Sequence, residues 1–547
     1  MVFNSGTGIT DHIDMLDKLV EVITSRALTT VAVAGGGSGH AIGDVIGIAS
    51  AGSTSTIVAQ LEVTSVASGV IDGIRVFRGG AYSVDPTNIL TNAQSSTTGS
   101  GTGATFVLTF SAAAWSVNRR TKQAASAAIG TAGTGYTVGD VLTVTGGVQG
   151  GAGADATFTV ATISGGGGTG PVASVTVTTV GNFEEVPAND VLVTGGTGSA
   201  CELTVTWATA TKAENDEQVC MLEGSGLAGA DEVHVIIRPY SIASGVDTAF
   251  NWQLLGATGY NALLPIHTQT GVDPTQINTG TGALPTTDKG SYLVLKDDDA
   301  NPDISWWINH NGRRIILACK VEGSGTTHYM SAYMGFLNQA ATDTEYPYPL
   351  WICGTTNDRD RIWTDSTNLT GGIVEVIGFG SSDPSGPGYV RKPDGTWRSH
   401  VSESSSSGSI RNVETEWGIW PFFNSTGLSG SEQTVSNASD VDWSGGTHDI
   451  IPSTGVPGTE NILLKPTPGT GSDYYFMVVP LVAEQESGTF LTTGFHIRGE
   501  IDGVFWFSRG NNAVVSEDRF VLAAKRYLIF QNGNRTQNWS YFAMDED

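Results

Sequence analysis

Charged side chains are scarce here. They make up 15% of 547 residues, and the 27 basic ones are outnumbered two to one by 54 acidic ones. A formal charge of −27 leaves too few Lys and Arg to displace the counterions of a phosphate backbone, which argues against nucleic acid as a partner. Long apolar runs are missing as well: none approaches the ~18 residues that a membrane span requires. The opening "MVFNSGTGITDHIDML" has no basic segment followed by an apolar one, so no signal peptide is expected. The expectation is a soluble chain made in the cytoplasm, with no membrane insertion. Cysteine is nearly absent. Cys201, Cys220, Cys319 and Cys353 show no CxxC spacing, so no zinc site is expected and reduced, packed thiols are the default. A Cys201/Cys220 or Cys319/Cys353 bridge stays open, since Cys319 sits in a strand and Cys353 just past a later one.

Glycine, at 72 residues, is about twice its usual ~7% share. With abundant Thr, Ser and Val it describes an ordered, turn-dense β protein. A helical pattern of any length occurs once, at Thr10–Arg26. There Ile13, Leu16, Val20 and Ile23 form one apolar stripe, widened by Met15, Leu19 and Val22. Thr10 is the expected N-cap, with Asp11 and Asp14 favouring the positive end of the helix dipole. Such a stripe needs a partner, either the chain's own β structure or another subunit.

Residues 29–208 contain a duplication. "GSGHAIGDVIGIA" from Gly37 returns as "GTGYTVGDVLTVT" from Gly133, placing Gly43-Asp44 and Gly139-Asp140 in equivalent positions. Each copy continues through two strands and ends on an aromatic strand, at Phe110 or Trp207. Gly-x-Gly and Gly-Asp supply the positive-φ turns that short strands need. A strand follows the Gly-rich loop where phosphate binding needs a helix N-terminus. No surrounding acidic cluster marks Asp44 or Asp140 as calcium ligands. Between the copies, "WSVNRRTK" (Trp115–Lys122) is expected to be a linker.

In the centre, the aromatic run Ile304–Ile308 meets an Asn311-Gly312 turn and the apolar run Arg314–Val321, an antiparallel hairpin expected to use positive φ at both turn residues. Tyr329–Leu337 follows as a third strand, and Asp394-Gly395 marks another hairpin. The acidic run Asp297–Asp299 is expected to be a loop tip, and His310 and His328 are expected at the surface. Glu414, Glu416, Asp442, Asp449, Glu500 and Asp502 are candidate carboxylates for glycan cleavage, but no spacing pairs any two of them. No catalytic residue, cofactor or metal is therefore assigned.

The fold class expected is mainly β: several sandwich or barrel-like domains in tandem with one N-terminal α-helix. Expected boundaries are a helical docking arm (1–28), Gly-rich β repeats at 29–112 and 113–208, a central antiparallel domain (209–400) and a C-terminal β-sandwich (401–547). Nearly end to end the chain resembles a family of tailed-bacteriophage virion proteins. The resemblance is carried by "GITDHIDMLDKLVEVITSR", the two G-x-G-[HY]…GDV repeats, "GLAGADEVHVIIRPY", "NGRRIILACKV", "YMSAYMGFLNQAATDTEYPYPL", "RKPDGTW" and "GEIDGVFWFS…RYLIFQNGNRTQNWSYFAM". It implies a particle-bound structural role with no known catalysis, and the position expected for it is the tail, neck or baseplate. The partners expected are copies of itself, in a trimer- or hexamer-related assembly, and other virion proteins. Ile13, Leu16, Val20 and Ile23 are the first candidates for interfaces, and Trp306, Trp307, Tyr346 and Tyr348 the second. The alternatives are a host-surface glycan-binding adhesin or tailspike and a capsid decoration protein.

Overall fold

The computed structural model describes residues 1–210 except 51 and 150–154. Beyond them it describes 218–273 except 227–231 and 245–246, then 276, 290–296, 303–356 except 324–325 and 340, 359–360 and 388–399. Past residue 400 it describes strands at 417–420, 466–468, 474–478 and 481–485, then 495–508, 515–531 except 523–524, and 541–547. The chain is mainly β, with a single α-helix among the described residues, His12–Ile23.

The organising layer is a seven-stranded antiparallel sheet. It runs Val2–Ile9, Asp303–His310, Arg314–Gly323, Thr326–Phe336, Leu350–Cys353, Gly388–Arg391, Trp397–Ser399. Alternate residues of a strand point to opposite faces, and here both faces are covered. Trp306, Ile308, Ile315, Leu317, Cys319, Met330 and Ile352 face one core, shared with the helix and with a five-stranded sheet. Trp307, Ile316, Ala318, Tyr333, Trp351 and Cys353 face a second core, shared with Val504, Leu528, Phe530, Phe542 and Met544 of the C-terminal strands. This double burial explains why "RIILACKV" is apolar almost without alternation.

The first strand, Val2–Ile9, pairs with Asp303–His310, and Gly6 lies under Trp306, where a Cβ would stand 2.7 Å from the ring. The helix then buries Met15, Leu16, Leu19, Val22 and Ile23 in the central core, with Val20 partly buried against it, and Ile13 is buried too. The strand Val2–Ile9 and the helix His12–Ile23 are therefore packed into the central unit and do not form a free docking arm. The N-cap is Asp11, one residue later than expected: its carboxylate accepts from the Ile13 and Asp14 amides, while Thr10 instead bonds Asp14.

Trp115–Arg120 is also not a linker. It is an edge strand of the five-stranded sheet, paired with Cys220–Gly224. The second repeat is thus inserted between two strands that pair with each other. Thr121 donates to the Val219 carbonyl, and Ala210 to that of Thr121, at the neck of the insertion. The first repeat is inserted between the helix and Trp115. Insertion at adjacent chain ends leaves a core intact.

The duplication extends to strand order. The first repeat forms a six-stranded sheet in the order Ala27–Ser38, Thr102–Ser111, Asn92–Thr97, Val45–Ile48, Gln60–Ala67, Val70–Arg78. The second has Lys122–Thr134, Ser199–Thr209, Val191–Thr194, Val141–Val144, Thr157–Ile163 and Val172–Thr179 in the same order. In each the last strand returns to the first, making a barrel. Leu28 donates to the Gly79 carbonyl at 2.9 Å, and Ala124 likewise to Val180 at 2.7 Å. An edge-to-face aromatic pair closes each barrel, Tyr82 on Phe110 and Phe183 on Trp207, with ring centres 5.1 and 5.0 Å apart.

Candidate functional site

The Gly-Asp turns of the repeats are structural. Gly43 and Gly139 have φ of 89° and 94°, a region open to glycine at no steric cost. Asp44 accepts from the Ala41 amide, while Asp140 accepts from the amides and hydroxyls of both Thr137 and Thr197. Those donors hold the Asp140 carboxyl well below the usual carboxylate range. Asp394 forms the same kind of turn onto Thr396 beside Gly395, whose φ is 88°.

The central hairpin forms where the sequence places it, by a different device. Asn311 donates from its amide to the Arg314 carbonyl, so the two-residue loop is Gly312-Arg313. Neither Asn311 nor Gly312 has positive φ. The Asn311 side chain instead accepts from the Arg313 and Arg314 amides. Gly312 is there for close approach: a Cβ would stand 2.8 Å from the Gly226 carbonyl oxygen, and Gly226 donates to the Gly312 carbonyl.

The proposed interface residues belong to the interior. Leu16, Ile23 and Trp306 lie in the central core and Trp307 in the second core, and Ile13 is buried. Tyr346 is fully buried, with its hydroxyl on the Arg391 carbonyl. The histidines are also corrected: His310 and His328 are 1% and 3% exposed, not superficial. Among the candidate carboxylates, Asp502 pairs with the fully buried Arg314 at 2.9 Å and Glu500 accepts from Asn338. Glu414, Glu416, Asp442, Asp449 and the Asp297–Asp299 run lie outside the described residues.

The one grouping of metal-ligating side chains found among the described residues escaped sequence reasoning: Glu223, Glu232 and His234. Glu223 and His234 face each other across the ladder between Cys220–Gly224 and Val233–Ser244. Glu232 precedes His234 by two residues, the spacing that returns to the same face of a strand. Val233, Val235 and Ile237 point into the central core, so His234 points to the sheet's outer face. All three ligand atoms lie within 4.8 Å of one another. They line a cavity of about 310 Å³ together with Thr258, Tyr260 and Tyr348.

The site is held from several sides. Asn118 donates to Glu223 Oε2 at 2.6 Å. The Arg119 and Arg391 guanidiniums lie over the Tyr260 and Tyr348 rings, 5.5 and 5.3 Å from their centres. His234 is 3% exposed, its Nδ1 has no hydrogen-bond partner, and its Nε2 is 3.9 Å from Glu232 Oε2. Burial lowers the imidazole's pKa against the opposing pull of Glu223 and Glu232, which favours the neutral, ligand-competent ring. Tyr348, alone of the four predicted interface aromatics, borders this cavity. The period-two spacing of Glu232 and His234 was the available signal, but Glu223 joins them only through strand register.

No protein-family model matches the chain, and no curated protein is similar to it in sequence.

Proposed function

We propose that this chain is a structural component of a tailed-phage virion, assembled as a homo-oligomer at the tail, neck or baseplate through its two barrels. The observation that carries this reading is a repeated exposed apolar residue. Ile42 and Val138 occupy the same position, next to the Gly-Asp turn of each barrel, and are 67% and 61% exposed. One exposed apolar side chain is ordinary, but its repetition at the same position in two diverged copies supports a contact surface. The helix's apolar stripe is spent on the chain's own core, and the repeated exposed position favours the barrels as the docking elements. The helix's place in the core also means that removing residues 1–28 strips a strand and a core helix and unfolds the chain.

Copy counting tests the proposal. Quantitative mass spectrometry of purified virions that encode this chain compares it with portal and major capsid protein. Small multiples of three or six copies are expected. Hundreds of copies would move the protein to the capsid shell, and absence from particles would overturn a virion role.

A further inference from the structure

We propose that Glu223, Glu232 and His234 bind one divalent transition-metal cation of the zinc class on the outer face of the five-stranded sheet. The donors converge because of the sheet itself. Register sets Glu223 opposite His234, and strand periodicity sets Glu232 beside it. Two carboxylates balance the charge of a divalent ion, and an imidazole favours zinc over magnesium or calcium, which take oxygen ligands. Three protein ligands leave one tetrahedral position for water or a partner's side chain.

Three further observations point to a ligand. His234 is almost wholly buried and turns its Nε2 toward the carboxylates, 3.9 Å from Glu232 Oε2. Asn118 fixes Glu223 by a hydrogen bond, the kind of outer support that ligands of metal sites carry. The cavity leaves room for an ion and its water. Ligand atoms on one zinc lie about 3.3 Å apart, as follows from bond lengths of roughly 2.0–2.1 Å in a tetrahedron. The present spread reaches no more than 4.8 Å, so binding draws the donors together, and Glu232, whose side chain is 58% exposed, is free to turn inward. The ion would tie together the ends of two neighbouring strands, Cys220–Gly224 and Val233–Ser244.

Full-length protein stripped with chelator and titrated with zinc chloride tests this. Calorimetry and elemental analysis after gel filtration are expected to give one zinc per chain, with a raised melting temperature. Glu232→Gln, at an exposed position, is expected to keep the native near-UV spectrum and weaken zinc binding at least tenfold. Glu223→Gln with His234→Asn is expected to abolish it. Absence of stoichiometric zinc, unchanged binding by a folded Glu232→Gln, or calcium binding of equal strength would each overturn the proposal. If the double variant fails to fold, Glu232→Gln decides alone.

Discussion

Cys319 and Cys353 lie on opposite faces of one sheet. Cys319 packs with Leu317 and Met330 in the core that holds the helix, and Cys353 packs with Trp351 and Tyr333 in the core that holds the C-terminal strands. The strand Thr326–Phe336 runs between theirs. No rotamer brings the two sulfurs together, because a disulfide needs Cβ atoms about 4 Å apart and directed at each other. Cys201 and Cys220 are likewise separated, one in the second barrel and one in the central core. Burial pushes the thiols of Cys319 and Cys353 far above their usual range. Native protein is therefore expected to give no reaction with a thiol reagent, and denatured protein four free thiols without reductant. A titration showing fewer than four after denaturation would contradict this packing.

Asp140 and Asp44 offer an internal comparison within one molecule. Asp140 gathers four donors and Asp44 one backbone amide. Asp140→Ala is expected to lower the melting temperature more than Asp44→Ala. The pH dependence follows from the depressed carboxyl. Because the folded state holds the ionised form, its contribution is present above the unfolded carboxyl's pKa and fades as pH falls through the folded one. The difference between wild type and Asp140→Ala is thus expected to narrow below about pH 4. Thermal scans at several pH values measure it.

What the sequence made legible follows the range of each signal. The Gly-Asp turns, the duplication and the helix are local patterns, and each appears where its residues place it. The strand Val2–Ile9 was invisible because "VFNSGTGI" does not alternate and is interrupted by Gly6 and Gly8; its register with Asp303–His310 comes from a partner some 300 residues away. Trp115–Arg120 looked like a basic linker because Arg119 and Arg120 find their partners far off. Arg119 meets Glu184 and the carbonyls of Ala262 and Leu264, and Arg120 meets Asp17. The Glu223, Glu232 and His234 grouping was missed for the same reason, since cross-strand register is a tertiary fact.

His310 was expected in solvent and instead sits fully buried. Burial, then the nearby Arg314 and N-terminal amine, push its pKa down to about 3. An unfolded histidine titrates near 6.5. As pH falls below that value the unfolded chain takes up a proton that the folded one refuses, so stability falls with pH. The slope reaches about 1.4 kcal/mol per pH unit from this group. It ends once pH passes the folded value. His310→Asn removes the titration, whatever its own cost at neutral pH. Urea midpoints between pH 7 and 4.5 are expected to decline less steeply in the variant, and parallel slopes would show that His310 does not titrate this way.

Ile42 and Val138 carry the assembly proposal, and their exposure makes them safe to change. A surface substitution away from caps and core alters stability by no more than about 0.5 kcal/mol. Ile42→Ser with Val138→Ser is therefore expected to fold with an unchanged melting temperature. If the barrels dock through these positions, the double variant loses two apolar contacts per chain, and cyclic symmetry multiplies the loss by the number of copies in the ring. Sedimentation is expected to show a shift toward monomer, and virions made with the variant are expected to carry less of the chain than wild-type particles. Each single variant is expected to fall between, since either barrel retains one contact. Normal incorporation of a correctly folded double variant would remove the barrel positions from the interface and leave assembly to some other surface of the protein.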